Sequence, residues 1–157
     1  MGMPDYLARL REKVGHDLVF LPSVACLIRD SEQRILLVRH VDGWWNLPGG
    51  FIDDPTETPA EAARREAEEE ASVEIEVLGI AGVFGGPDFR GTYPNGDEVA
   101  WVSIVFDARI TRGTAKPGDD ETAEVKWCTV DDALAIDLTE PWRHILTSVR
   151  DGRAFTQ

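Results

Sequence analysis

Apolar residues recur at two different spacings along this chain, and the spacing separates predicted helices from predicted strands. Near the N-terminus, Leu7, Leu10 and Val14 share one helical face. Pro4 suits the first turn of this helix, and Gly15 can end it. The pattern therefore predicts that the chain begins with an amphipathic helix.

A second and stronger helix is predicted over residues 59–71. A capping box precedes it, in which Thr58 caps the helix, Pro59 takes the first position and Glu61 the third. Two further helical segments are predicted, a short turn over residues 131–136 and a last helix over residues 141–149.

The strand predictions depend on alternating or β-branched apolar residues. They cover residues 24–28, 35–38, 73–83, 99–110 and 124–130. The first two are expected to pair as a hairpin, and the segment 44–54, rich in Gly and Pro, is expected to be a loop. Runs of strands, interrupted by one strong helix and closed by another, predict an α/β (α+β) fold with a mixed sheet covered on both faces.

Length and composition are those of one globular domain, with 157 residues of which 43% are hydrophobic and 29% charged. No apolar run approaches the roughly 18 residues that a membrane-spanning helix needs, and the N-terminus is too polar for a secretory signal. A cytoplasmic protein with no membrane partner is therefore expected. Cys26 and Cys128 lie in apolar runs and are expected to be buried, reduced thiols.

The net charge of −13 argues against a nucleic acid duplex as a partner. Proteins that bind duplexes neutralise phosphates with clustered Lys and Arg, and the chain shows no such cluster. An acidic protein can still act on a phosphate compound when divalent cations bridge the two negative partners.

Glu66, Glu69 and Glu70 have the spacing that such a cation site needs. Residues i, i+3 and i+4 share one face of a helix, and three carboxylates on one face repel one another unless a cation lies among them. Oxygen ligands of this kind favour Mg²⁺ or Mn²⁺. Taken alone, the segment is explained better as a solvated surface with i,i+4 ion pairs to neighbouring arginines.

The residues before the helix favour the metal site. Leu-Pro-Gly-Gly at positions 47–50 leads through Glu57 to the acidic helix, and its glycines let backbone approach a ligand closely. Residues 50–73 resemble the Nudix box, which is Gly, five residues, Glu, seven residues, then Arg-Glu-apolar-any-Glu-Glu-any-Gly-apolar. Two positions depart from it: six residues separate Gly50 from Glu57, and Ser72 stands where the family has Gly.

The resemblance implies a single Nudix-type domain over residues 1–157, an α/β/α sandwich with a mixed central sheet and an N-terminal helical extension over residues 1–19. It also implies the reaction, which is attack by water on a phosphorus of a nucleoside diphosphate linked to another moiety, with Mg²⁺ or Mn²⁺ as cofactor. The implied metal-binding residues are Gly50, through its backbone, and Glu66, Glu69 and Glu70. Arg65 and Glu57 would form a pair that orients the catalytic helix.

Nudix enzymes often add an acidic residue from a later loop, as a ligand or general base. Within the acidic triplet 119–121, Glu121 is the preferred candidate, although a solvated loop acid is an equal alternative. Asp97 and Glu98 are weaker candidates because they lie in a predicted turn.

Three aromatic residues near the glycine loop have two interpretations. Trp44 and Trp45 can stack on a nucleobase, but packing under the loop is the more common arrangement of paired aromatics. His40 is near enough in sequence to touch a substrate, and packing is again the simpler interpretation.

The substrate stays open among (d)NTPs, ADP-ribose or another nucleotide sugar, and dinucleoside polyphosphates. The alternative to an enzyme is a nucleotide-binding or regulatory Nudix domain without turnover. Such domains usually lose box carboxylates, whereas this chain keeps them all. A homodimer is a further expectation from the resemblance.

Overall fold

The computed structural model describes residues 5–52 and 54–155, which form four helices and eight strands. The helices are α1 (Asp5–Val14), α2 (Pro59–Ala71), α3 (Val130–Leu134) and α4 (Glu140–Arg150). The strands are β1 (Val19–Ile28), β2 (Ile35–His40), β3 (Trp45–Asn46), β4 (Gly49–Phe51), β5 (Glu74–Phe84), β6 (Arg90–Thr92), β7 (Glu98–Arg112) and β8 (Thr122–Cys128). The predicted helices and longer strands are all present, with ends within a few residues of those expected.

The strands form two sheets. The larger one has the order β4-β1-β7-β5, and β6 also pairs with β7. Within it β1 and β7 run parallel, and the other pairs are antiparallel, so the sheet is mixed. The smaller sheet has the order β3-β2-β8 and is entirely antiparallel. The predicted α/β fold with a mixed sheet is therefore confirmed, with a second sheet beside it.

The predicted hairpin between the first two strand segments was wrong. β1 and β2 belong to different sheets, and among the described residues only an isolated bridge between Arg29 and Ile35 joins them. The physical reason is that β4 and β7 already occupy the two edges of β1. The polar turn is present as expected, and Asp30 closes it by accepting the backbone N–H groups of Glu32 and Arg34.

From Ser23 onward, strand β1 is buried on both faces and divides the interior into two cores. Its even-numbered residues Val24, Cys26 and Ile28 pack with α2 in one core, and its odd-numbered residues Ala25 and Leu27 pack with α3 and α4 in the other. Because successive strand residues point to opposite faces, a continuous apolar run is what a strand between two helical layers requires. The helices thus cover both sides of the sheets, as in a sandwich.

Helix α1 covers the end of the mixed sheet. Its residues Leu7, Leu10 and Val14 pack against a small apolar cluster formed by Val19, Leu21 and Val99. Gly15 adopts a φ of +63° directly after the helix, as a terminating glycine does. The predicted N-terminal helix is confirmed, and Pro4 lies outside the described residues.

The segment predicted as a loop over residues 44–54 contains β3 and β4. Glycines are depleted in strands, so the Gly-rich pattern conceals them. Gly49 is required within β4, because a Cβ atom there would collide with the backbone carbonyl of Val24 on the neighbouring strand. Close approach of two backbones, rather than a flexible loop, explains this glycine.

The predicted capping box begins helix α2. The Thr58 side chain accepts the N–H of Glu61, and the Glu61 carboxylate accepts the N–H of Thr58. The helix ends at Ser72, which has a left-handed φ of +56°. Its backbone N–H donates to Glu68 O at 3.0 Å.

Ser72→Gly is expected to stabilise the protein by about 0.5–1 kcal/mol, because glycine adopts a left-handed φ without the steric cost that a Cβ atom imposes. Urea unfolding with constant m-value measures the gain. Ser72→Ala keeps the Cβ atom and serves as the control without a gain. Equal urea midpoints for Ser72→Gly and Ser72→Ala would show that the left-handed backbone at Ser72 is not strained.

Candidate active site

Arg65 on α2 holds three carboxylates. Its Nε and Nη2 donate to the two oxygens of Glu57 at 2.9 and 3.1 Å, a bidentate pair. Its Nη1 donates to Glu66 at 2.7 Å and to Glu69 at 3.1 Å. These contacts hold the pKa of Arg65 above its ordinary value, with the Glu57 hydrogen bonds as the largest cause. The guanidinium therefore fixes two carboxylates of the helix face and joins them to the loop before it.

The carboxylate of Glu70 binds the backbone of β4. Its Oε2 accepts the backbone N–H of Gly49 at 2.9 Å, so the carboxylate points toward β4 rather than toward Arg65. Burial, with the charges of Glu66, Asp119 and Glu121 adding to it, raises the pKa of Glu70 to about 8, and the Gly49 hydrogen bond only partly opposes this. The carboxyl group of Glu70 therefore lies among other acids with too little positive charge beside it.

Gly50 lies directly against the carboxylate of Glu66. A Cβ atom at Gly50 would lie 2.5 Å from Oε1 of Glu66. Any larger residue would push this carboxylate away from β4. Glycine is therefore needed here for close approach of backbone to the acidic face.

The segment 113–121 is fastened to the C-terminal end of α2. The last carbonyls of a helix lack partners within the helix. Here the N–H of Lys116 donates to Ala71 O at 3.1 Å, and the N–H of Gly118 donates to Glu70 O at 3.2 Å. The segment that carries the later acidic residues is consequently positioned by the same helix that carries Glu69 and Glu70.

Asp119 organises the end of this segment. Its Oδ1 accepts the backbone N–H groups of Glu121 at 3.1 Å and of Thr122 at 2.9 Å. Glu121 itself is exposed, and its backbone carbonyl accepts the N–H of Val41 at 2.9 Å. Both acids lie near enough to Glu70 to raise its pKa. The structure therefore places Glu121 and Asp119 where their charges act on Glu70.

Asp97 and Glu98 pair with residues of α1, of the turn after it and of β6. Asp97 is buried and accepts from His16 Nδ1 at 2.7 Å and from Asn95 at 3.1 Å. The His16 contact is the largest cause that holds the pKa of Asp97 below its ordinary value. Arg11 on α1 lies 3.4 Å from the same carboxylate. Asp97 thus fastens α1 to the turn before β7, while Glu98 pairs with Arg90 at 2.6 Å.

Comparison with known proteins identifies the family. The profile of the NUDIX domain matches residues 19–148, which is more than half of the chain. The chain belongs to the Nudix family. Its Nudix box is the segment that carries Gly50, Glu57 and the acidic face of α2.

Two curated relatives and one solved structure illustrate the similarity. The chain is 32% identical over 111 residues to a MutT-like protein of Streptomyces ambofaciens, covering 70% of this chain and 64% of that protein. It is 33% identical over 119 residues to an ADP-ribose pyrophosphatase of Methanocaldococcus jannaschii, covering 73% and 66%. The crystal structure of a MutT protein from Methanosarcina mazei Go1 superposes with a TM-score of 0.69 at 25% identity, covering 86% and 96%. The chain thus spans less than two thirds of the length of both curated relatives.

The two departures from the Nudix box have different outcomes. The sixth residue between Gly50 and Glu57 does not displace Glu57, which reaches Arg65 in the bidentate pair that the resemblance implies. Ser72 does take the left-handed conformation that the family's glycine suits.

No ready-made cation site is present in the part of the chain that the structure describes, since no group of three or more His, Cys, Asp or Glu side chains is arranged to hold a metal ion. The reason is the competition for the box carboxylates. Arg65 draws Glu66 and Glu69 to itself, and the backbone of Gly49 holds Glu70.

The sequence interpretation missed Gly118, and within the acidic triplet it preferred Glu121 to Asp119. A Cβ atom at Gly118 would collide with the carbonyl of Glu69, so the residue must be glycine for the segment to reach the helix end. The available signal was a glycine directly before an acidic triplet. Cys26 and Cys128 are free, buried thiols, as expected.

Gly118→Ala is expected to destabilise the protein by about 2 kcal/mol and to lower turnover, because the added methyl group must push segment 113–121 off the end of α2. Urea unfolding and the initial rate measure the two effects. Gly79→Ala is the matched control, since nothing lies within 4 Å of a Cβ atom there. The same stability and rate in both variants would disprove the docking role of Gly118.

None of the helices within residues 5–52 and 54–155 combines the length and apolar character that crossing a bilayer requires.

Proposed function

We propose that this Nudix domain hydrolyses a pyrophosphate bond in a nucleoside diphosphate linked to another moiety, using Mg²⁺ or Mn²⁺. The observation that carries the proposal is the carboxyl group of Glu70, withdrawn from solvent among Glu66, Asp119 and Glu121 with its pKa raised to about 8. A cluster of acids with too little positive charge beside it lowers the stability of the folded protein. A function that needs a bound cation would explain why the chain keeps such a cluster.

The donor set fits a hard divalent cation. Glu66, Glu69 and Glu70 each offer carboxylate oxygen. Gly49 and Gly50 bring backbone within contact of Glu70 and Glu66. Glu66, Glu69 and Glu70, with the backbone of Gly50, would hold the cation. When bound, it would lower the pKa of a water molecule and neutralise charge that develops on the phosphates.

The chain's own residues supply orientation and proton transfer. Arg65 positions Glu66 and Glu69 through hydrogen bonds and keeps the two carboxylates together on the helix face, from which they would turn toward the cation. Glu121 is exposed beside this face, and we assign it the role of general base that accepts the proton of the attacking water. Asp119 positions Glu121 by binding its backbone N–H.

The names of the relatives support the reaction class without selecting one substrate. The Methanocaldococcus jannaschii relative is named an ADP-ribose pyrophosphatase. The net charge of −13 favours a substrate that arrives as a metal complex, because free polyphosphate would be repelled. We propose a small metal-bound nucleotide as the substrate class, with (d)NTPs, ADP-ribose and dinucleoside polyphosphates as its members to test.

A product assay tests the proposal. Purified protein is incubated with each nucleotide in Mg²⁺, Mn²⁺ or EDTA, and the products are identified by mass after reaction in ¹⁸O-labelled water. We expect metal-dependent release of a nucleoside phosphate with one ¹⁸O atom on a phosphate product. No turnover of any nucleotide by folded protein that binds the metal would overturn the proposal and favour a binding or regulatory domain.

A further inference from the structure

The turn between β2 and β3 presents a stacked pair of aromatic rings. The rings of His40 and Trp44 stack with centroids 4.4 Å apart and planes within 3° of parallel. His40 covers one face of the indole, and Trp44 as a whole remains 41% exposed. A large flat apolar surface is therefore held open to solvent on one side.

Backbone hydrogen bonds fix this pair. The N–H of His40 donates to Trp44 O at 2.9 Å, and the N–H of Gly43 donates to His40 O at 2.8 Å. The imidazole is fixed as well, because its Nδ1 accepts the N–H of Asp42 at 3.2 Å. An indole that is held this way loses little conformational entropy when a second ring stacks on it.

The pair lies on the side of the molecule that carries the acidic site. His40 alternates with Leu36 and Val38, which pack in the core under α2, so it is on the same face of the small sheet as that helix. The turn is also bound to the acidic segment, since the N–H of Val41 donates to Glu121 O at 2.9 Å. The turn that carries the stacked rings is therefore tied to the segment of Asp119 and Glu121, whose charges act on Glu70.

Trp45 has a different role from Trp44. It is half-buried, packs in the core with Leu138, and is covered by the guanidinium of Arg39 at 5.8 Å from its ring centre. Its ring faces are therefore occupied by the protein. Of this adjacent pair, Trp44 is the tryptophan with a ring available to a ligand.

We propose that the open face of Trp44, backed by His40, is a stacking platform for the base of the nucleotide substrate. The proposal rests on the proposed function and deepens it: the acidic site would take the phosphates, and the platform would select an aromatic base, with purines favoured because they cover more of the indole. Stacking of a base on an aromatic side chain depends on ring overlap and not on a base-specific hydrogen-bond pattern. The platform would therefore favour nucleotides over non-aromatic diphosphates.

A binding experiment tests the platform without turnover. The indole N–H signal of Trp44 is assigned in an NMR spectrum as the one that Trp44→Phe removes. Wild-type protein with Mg²⁺ is then titrated with AMP, GMP or ribose 5-phosphate, of which the last has no base. We expect the Trp44 signal to shift with AMP and GMP and not with ribose 5-phosphate. An equal shift with all three probes, or no shift with any, would overturn the proposal.

Kinetics supply the second readout, on whichever nucleotide the protein hydrolyses. Trp44→Ala should raise KM about tenfold, the equivalent of ~1.4 kcal/mol, with kcat changed less than twofold, and Trp44→Phe should recover most of the loss. Tyr6→Ala removes an aromatic of similar exposure, 43%, on α1 and should leave both constants unchanged. An unchanged KM in Trp44→Ala, or a loss confined to kcat, would contradict the platform.

The two experiments separate this proposal from the function on which it rests. A base-dependent shift of the Trp44 signal without turnover of any nucleotide would keep the platform and reject hydrolysis. Turnover with an unchanged KM in Trp44→Ala would keep hydrolysis and reject the platform.

Discussion

Glu70→Gln is expected to lower turnover on the order of a thousandfold, about 4 kcal/mol of transition-state stabilisation, while it stabilises the metal-free protein. The amide can still accept the N–H of Gly49 but carries no charge for a cation. Removing a carboxylate that is withdrawn from solvent among other acids should increase the free energy of unfolding in EDTA by about 2 kcal/mol. Thermal unfolding and initial rates measure the two opposite changes.

The sign of the pH dependence follows from the raised pKa. Between pH 4.5, the ordinary value, and about 8, metal-free folded protein retains a proton on Glu70 that the unfolded chain has lost. The unfolded state binds fewer protons, so this group makes stability fall as pH rises through that window. The advantage of Glu70→Gln over wild type should therefore grow from pH 5 to pH 8.

Glu68→Gln is the matched control for Glu70→Gln, since Glu68 is on the same helix but exposed. It should keep turnover and show no such gain in stability. Loss of activity in both variants, or a less stable Glu70→Gln in EDTA, would contradict the role assigned to Glu70.

Arg65→Met is expected to lower both stability and turnover. The substitution removes the partner of Glu57, Glu66 and Glu69 at once and leaves their charges to repel one another. The Arg65 side chain is 28% exposed, so solvent screens part of the loss, and we expect a cost of about 2 kcal/mol in unfolding free energy. Turnover should fall at least tenfold, on the order of the loss that misplaced catalytic groups cause.

The matched control is Arg64→Met on the adjacent position, where the guanidinium donates to the backbone carbonyl of Ala60 in an exposed contact. Arg65→Lys should recover part of the stability, because an ammonium keeps the charge but cannot make the bidentate contact to Glu57. Equal effects of Arg64→Met and Arg65→Met on unfolding and rate would show that Arg65 does not organise the site.

The acidic face of α2 could be predicted from the sequence because it depends on short-range geometry. The spacing of Glu66, Glu69 and Glu70 places them on one helical face, and Thr58 and Glu61 define where that helix begins. Even the strain at Ser72 follows from its position directly after the helix. Interactions within one helix are encoded in neighbouring residues, which is why the prediction succeeded there.

The rest of the site depends on contacts between distant segments. Gly118 meets the end of α2 across about fifty residues of sequence, and nothing local to Gly118 indicates which helix its N–H will reach. The hairpin prediction failed for the same reason, since the apolar run of β1 fits a strand with two neighbours as well as a hairpin. Gly49 concealed β4 because glycine indicates a turn as often as a close approach of backbones.

Cation binding by the acidic face of α2 is the step that we infer to enable hydrolysis. Its most direct test is a titration of metal-free protein with Mn²⁺, in which bound Mn²⁺ is counted by electron paramagnetic resonance while the initial rate is measured in the same samples. We predict that rate and occupancy rise together in wild type and Glu68→Gln, and that both are lost in Glu70→Gln. Full turnover in EDTA, or Mn²⁺ binding and turnover undiminished in Glu70→Gln, would contradict it.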